Sequence, residues 1–105
     1  MRDLIEGYDE LEKKLGYEPN FHDDNIEKVT ITKDGIIFDL KTVDKVLYKL
    51  MFEDVKEIDL KGKLWGIVGI IFALEIERTD DGVKTTIEES LGVYGEITSG
   101  RIIVK

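Results

Sequence analysis

The groups best equipped for chemistry fall in one short stretch, Gly16-Tyr17-Glu18-Pro19-Asn20-Phe21-His22-Asp23-Asp24, which holds the only proline and the only histidine of the chain. An imidazole beside carboxylates is a metal-ligand combination, and it is also the base and orienting acid of a catalytic triad. A metal site would need His22 and Asp23 to converge. Neighbours in an extended segment point to opposite sides, and no second group of ligands has suitable spacing. A triad would have to recruit Ser90 or Ser99, and neither serine stands in a nucleophile-elbow sequence. With no cysteine, thiolate nucleophiles, disulfides and zinc–thiolate sites fall away together. The chain therefore reads as a non-enzyme with no cofactor, no metal and no catalytic residue. Phe21, His22 and Asp23 read instead as a structural motif, in which Phe21 enters the core while His22 or Asp23 bonds nearby backbone.

Other arrangements that could do chemistry are weaker. Gly66-Ile67-Val68-Gly69 has the outline of a GxxG loop, but it is apolar, lacks flanking bases and reads as strand glycines at a bulge or close contact. Lys61, Lys63 and Trp65 could stack on a nucleic acid, yet they are isolated in a chain of net charge −8, and Trp65 reads better as a core or interface aromatic. Carboxylates are so numerous that no acid/base pair stands out.

These groups must be placed by the elements around them. Leu4, Ile5, Tyr8, Leu11 and Leu15 recur at helical spacing and predict an amphipathic helix over the first fifteen residues, with Asp3 and Glu6 as a capping box and Asp9/Lys13 and Glu10/Lys14 as i, i+4 pairs. Gly16 suits its C-terminal cap, and Pro19 turns Glu18 away from helical geometry, so the stretch that follows is a hinge. Alternation then predicts strands at residues 28–32 and 36–40. With Asp34-Gly35 as the loop, Lys33 faces Ile36, Ile31 faces Phe38 and Val29 faces Leu40. Residues 43–53 fit a helix through Val43, Val46, Leu47, Leu50 and Met51, or equally well a strand through Val46, Tyr48, Leu50 and Phe52, so periodicity does not decide between them; a short strand follows at 57–60. A buried strand follows through Ile70, Phe72, Leu74 and Ile76. A second hairpin on Asp81-Gly82 sets Ile76 against Ile87 and leaves Arg78 and Thr85 exposed, and a last strand covers 96–104. Residues 1–105 thus make a single α+β domain, with an N-terminal helix packed on a mostly antiparallel sheet of about six strands.

Composition sets limits on partners. Charged residues are 36 % and hydrophobic residues 42 %, enough for a core, and the net charge of −8 repels nucleic-acid phosphates and attracts basic surfaces. The N-terminal residues carry acids where a signal peptide needs an unbroken apolar run, and the longest apolar run, 64–74, is too short to span a bilayer as a helix. The expected partner is a basic protein, without nucleic acid or membrane, and the expected location is the cytoplasm. The oligomeric state stays open, because an exposed edge of an antiparallel sheet permits dimerisation by strand pairing.

Three segments in order, the Gly16-Tyr17-Glu18-Pro19-Asn20-Phe21-His22-Asp23 opening, Leu50-Met51-Phe52-Glu53-Asp54-Val55-Lys56-Glu57-Ile58-Asp59-Leu60, and Glu89-Ser90-Leu91-Gly92-Val93-Tyr94-Gly95-Glu96, resemble the immunity protein 50 family of bacterial polymorphic-toxin systems. Glu18 stands where that pattern would put an aromatic. The resemblance implies a β-rich domain, which helps to favour a strand over residues 45–53, and one that binds and neutralises a cognate toxin by protein–protein contact, such as a basic nuclease. It places candidate contacts on the exposed acids of the hairpins and around the loop after Glu89, at Glu88, Glu89 and Tyr94. Tyr94 is either an aromatic anchor for the partner or a ring packed over the last strand. The other reading is a free-standing structural or adaptor domain of the same fold, with no toxin and no catalytic activity.

Overall fold

A computed structural model describes residues 2–62, 69–89 and 94–105. The elements run as β1 (Ile5–Glu6), α1 (Tyr8–Leu15), β2 (Asn25–Thr32), β3 (Gly35–Lys41), β4 (Leu47–Lys61), β5 (Gly69–Thr79), β6 (Gly82–Glu89) and β7 (Tyr94–Val104), after a 3-10 turn at Arg2–Leu4. The α+β class and the mostly antiparallel sheet are as expected. The sheet also closes on itself: in the order β7-β4-β3-β2-β5-β6, β6 pairs with β7 again, so six antiparallel strands form a barrel. β1 adds a short parallel pairing to β7, Ile5 to Ile102 and Glu6 to Ile103.

The barrel interior is filled by side chains. Phe38, Leu40, Leu50, Ile71, Ile97 and Ile102 are wholly buried, and Phe38 meets Phe52 edge to face with centroids 5.5 Å apart. α1 lies against the end where β4 begins and β7 finishes, adding Tyr8 and Leu11 to the core.

The N-terminal helix is shorter than its spacing predicts. Gly7 adopts φ 83° between β1 and α1, and a Cβ there would lie 2.5 Å from the Val104 carbonyl oxygen. Only glycine lets the chain lie so close to β7 and then turn into the helix. Asp3 and Glu6 consequently form no capping box; they pair with Arg78 (3.7 Å) and Arg101 (3.5 Å). Lys13 meets Glu10 at i, i+3 (3.8 Å), Asp9 pairs with Arg2, and Lys14 donates to the Leu47 carbonyl (2.7 Å). Gly16 ends the helix as expected, at φ 84°, its N–H donating to Glu12 O.

Residues 47–61 form one strand, which settles the helix-or-strand ambiguity and merges two expected strands. Tyr48, Leu50 and Phe52 are buried, whereas Val43 (72 % exposed) and Leu47 (61 %) would have lain on the buried face of a helix. Asp54 at φ 54° and a register shift between Val55 and Glu57 mark a bulge where the sequence suggested a break.

Both hairpins differ from expectation in the same way. Their two-residue loops are Lys33-Asp34 and Asp80-Asp81, so Thr32 pairs with Gly35 and Thr79 with Gly82. Ile31 therefore faces Ile36, Val29 faces Phe38, and Ile76 faces Thr85 rather than Ile87. The glycines open the returning strands because a neighbouring strand crowds them: a Cβ on Gly35 or Gly82 would sit 2.1 Å from Phe52 O or Ser99 O. Thr32 secures the first loop, its Oγ1 accepting from Asp34 N–H (3.1 Å). Thr85, expected to be exposed, is fully buried, since it shares the inward face with Val83 and Ile87.

Candidate functional site

The hinge is tied to its surroundings through its backbone and through the Phe21 ring. Phe21 is 1 % exposed and Asp23 N–H donates to Ile71 O (2.9 Å), while Ile71 N–H donates to Asp24 O (2.9 Å). Asn20 Oδ1 accepts from the His22 backbone N–H (3.0 Å), as an Asx turn does. Phe21 and Asp23 are not extended: both lie at positive φ, 65° and 70°. That geometry corrects the expected divergence of His22 and Asp23, because it brings His22 Nε2 to 3.5 Å from Asp23 Oδ1, with both side chains more than half exposed. Among the described residues no group of three or more His, Asp or Glu side chains is placed to hold a metal ion.

The acid buried at the hinge is Asp24. It is 6 % exposed and accepts from the hydroxyl of Tyr48, itself 3 % exposed, so β4 is stapled to the connector. Burial raises the Asp24 pKa, an effect that the Tyr48 bond opposes, while burial and then Asp24 push the Tyr48 phenol far above its usual range. Nothing in the spacing of Asp24 and Tyr48 reveals this pair; two apolar runs had to be folded together first. Ser99 is wholly buried and donates its hydroxyl to Arg101 O (3.4 Å), which leaves it unavailable as a nucleophile. Ser90, Lys63, Trp65 and most of the Gly66–Gly69 motif lie outside the described residues.

Two concavities lie elsewhere on the described surface. A cleft of about 360 Å³ separates the N-terminal segment from the β5–β6 turn. Its arginines are engaged: Arg78 with Asp3, and Arg101 with Glu53 (2.7 Å from Nε) and Glu6. A groove of about 660 Å³ along β2, β3 and β4 carries Lys14, Lys28, Lys49 and Lys105. Lys49 is held there by Asp39 at 2.9 Å.

The opposite outer surface is acidic. Directly opposed residues of antiparallel strands share a face, so register alone lays out this surface in rows. One row runs Glu75–Thr86–Glu96–Asp59 across β5, β6, β7 and β4. Beside it lie Ala73–Glu88–Tyr94–Lys61 and Glu77–Lys84–Thr98–Glu57. Six carboxylates thus face two lysines, and all but Lys84 and Thr98 are exposed. Lys84 is bonded to Glu77 (2.9 Å), and that bond, followed by the charges of Glu77 and Glu96, raises its pKa. Lys61 pairs with Asp59 (3.3 Å) and lies over the Tyr94 ring (5.8 Å), a cation–π contact.

Of the expected contact residues, Glu88 and Tyr94 are paired neighbours on this surface, and Tyr94 is 51 % exposed. Glu89 pairs with Ile71 on the far side of a β5 bulge, off these rows. Glu75, Glu77, Glu96, Asp59 and Glu57 were not singled out by number. Their alternation is visible in the sequence, but their adjacency depends on the β6–β7 and β4–β7 registers. Neither a protein-family model, nor a curated protein, nor a solved structure matches the chain.

Proposed function

We propose that the chain is a binding protein of the immunity type, which neutralises a cognate basic toxin by covering it with the acidic face of β5, β6, β7 and β4. The observation that carries this reading is the gathering of six carboxylates and an exposed aromatic, Tyr94, on one continuous four-stranded surface. An acidic sheet face attracts a basic protein at long range, and the exposed ring supplies apolar contact area in one of its flanking rows. Lys61, resting on that ring, is the group that an incoming Arg or Lys would replace. The reading assigns no catalytic step to the chain. Among the described residues no helix is long and apolar enough to cross a membrane.

The test begins with capture of a partner on the tagged protein at low salt, its identification, and an assay of its toxic activity with and without this chain. Stopped-flow association is then followed as salt is raised. Inhibition at equimolar protein, with an association rate that falls steeply with salt and drops about tenfold or more in Asp59→Lys/Glu96→Lys, is the expected result. A partner bound with a salt-independent rate, or bound equally by the charge-reversed variant, would remove the acidic face from the mechanism. Absence of any basic partner would favour the free-standing adaptor domain.

A further inference from the structure

The barrel closes between β2 and β5 by a short seam. Asn25 pairs with Ile70 and Ile26 with Gly69, and the connector adds the two backbone bonds between Ile71 and residues Asp23 and Asp24. Phe21 and Asp23 lie at positive φ, so the connector is not extended as a strand beyond this point. Past Ile71, the edge of β5 that faces away from β6 carries no strand among the described residues until Arg78 meets Asp3 of the N-terminal segment. Its outward side chains are Ala73, Glu75 and Glu77, all exposed, and its inward ones are Leu74, in the core, and Ile76, half-buried against it. An open edge is a template for another strand, and its side chains decide which strand is accepted.

A second copy of this chain is a poor occupant. Two-fold antiparallel pairing centred on residue 75, 76 or 77 sets Glu75 against Glu75, Glu75 against Glu77, or Glu77 against Glu77. Like charges directly opposed on adjacent strands are destabilising. The outward row of β5 continues through Thr86 and Glu96 to Asp59, so a strand added at this edge also joins the acidic face. We propose that the β5 edge from Ala73 to Glu77 docks an extended basic segment of the partner protein as an added strand, with Lys or Arg opposite Glu75 and Glu77 and apolar residues opposite Leu74 and Ile76. This assignment rests on the reading of the acidic face as the partner surface. Main-chain bonds along the edge supply affinity, and the alternation of glutamate with apolar side chains supplies register.

The test titrates the isotope-labelled full chain, at low salt, with two synthetic peptides of the same composition. One alternates valine and lysine; the other places all valines before all lysines. The expected result is that the alternating peptide binds about tenfold more tightly and protects the amides of residues 73–77 from exchange, and that Glu75→Gln/Glu77→Gln, with an unchanged melting curve, abolishes the difference. Equal binding of both peptides, spread over the acidic rows, would overturn strand docking and leave the acidic face standing as the partner surface. Binding by neither peptide would overturn both. Concentration-dependent dimerisation that protects residues 73–77 would assign the edge to a second copy.

Discussion

Tyr48→Phe removes one hydroxyl and leaves a buried carboxylate without its side-chain donor. Asp24 is 6 % exposed and Tyr48 3 %, so water does not replace the lost bond readily, and the phenylalanine ring keeps its contact with Phe21 (centroids 6.2 Å apart for the tyrosine). A hydrogen bond to a charged group contributes roughly 1.5–3 kcal/mol, so a loss of about 2 kcal/mol is expected near neutral pH, lowering Tm by about 10 °C in a domain of this size. The pH dependence gives the sharper check. Burial raises the folded-state pKa of Asp24 above its unfolded value, and removing the Tyr48 donor raises it further. For a raised carboxyl pKa the folded state binds more protons, so this group's contribution to stability is fully present below the unfolded pKa and is lost as pH rises through the folded one. The penalty of Tyr48→Phe should therefore be largest near neutrality and shrink on acidification, as Asp24 becomes neutral. Asp24→Asn keeps an acceptor for Tyr48 without the charge, and should flatten the stability–pH profile. Urea unfolding of the wild type, both single variants and the double variant, from about pH 7 down to about pH 4, separates the pair's coupling from the individual effects. A coupling below roughly 0.5 kcal/mol, or one independent of pH, would show that the staple is not what holds the hinge.

Other consequences are read with simpler assays. Gly82→Ala places a Cβ where 2.1 Å separates it from Ser99 O, and should lower stability by about 1–3 kcal/mol in thermal melts, whereas an unchanged Tm would mean that the β6–β7 pairing yields freely. Thr85 Oγ1 is buried without a partner, so Thr85→Val should raise stability by about 1 kcal/mol, and a fall would mean that the hydroxyl is bonded in solution. Glu96 directly opposes Asp59, so Glu96→Lys should be neutral or stabilising by about 0.5 kcal/mol while weakening association with a basic partner. Loss of both stability and binding would instead identify Glu96 as structural.

The sequence by itself determined the class and the composition of this molecule. Alternation through Ile36, Phe38 and Leu40 marks a strand whose inward face is buried, alternation through Tyr48, Leu50 and Phe52 fits a strand without excluding a helix, and Gly16 marks the helix end. It also placed Phe21 in the core, because an aromatic beside turn formers has little else to pack on. What it could not supply were properties of neighbours distant in the chain. Gly7, Gly35 and Gly82 are set by carbonyls of Val104, Phe52 and Ser99, so the short helix and both hairpin registers depend on strands that approach only after folding. The pair Asp24–Tyr48 and the row Glu75–Thr86–Glu96–Asp59 are likewise consequences of closure. Local periodicity reports which face a residue occupies; only the pairing of strands decides which residues share that face across the barrel.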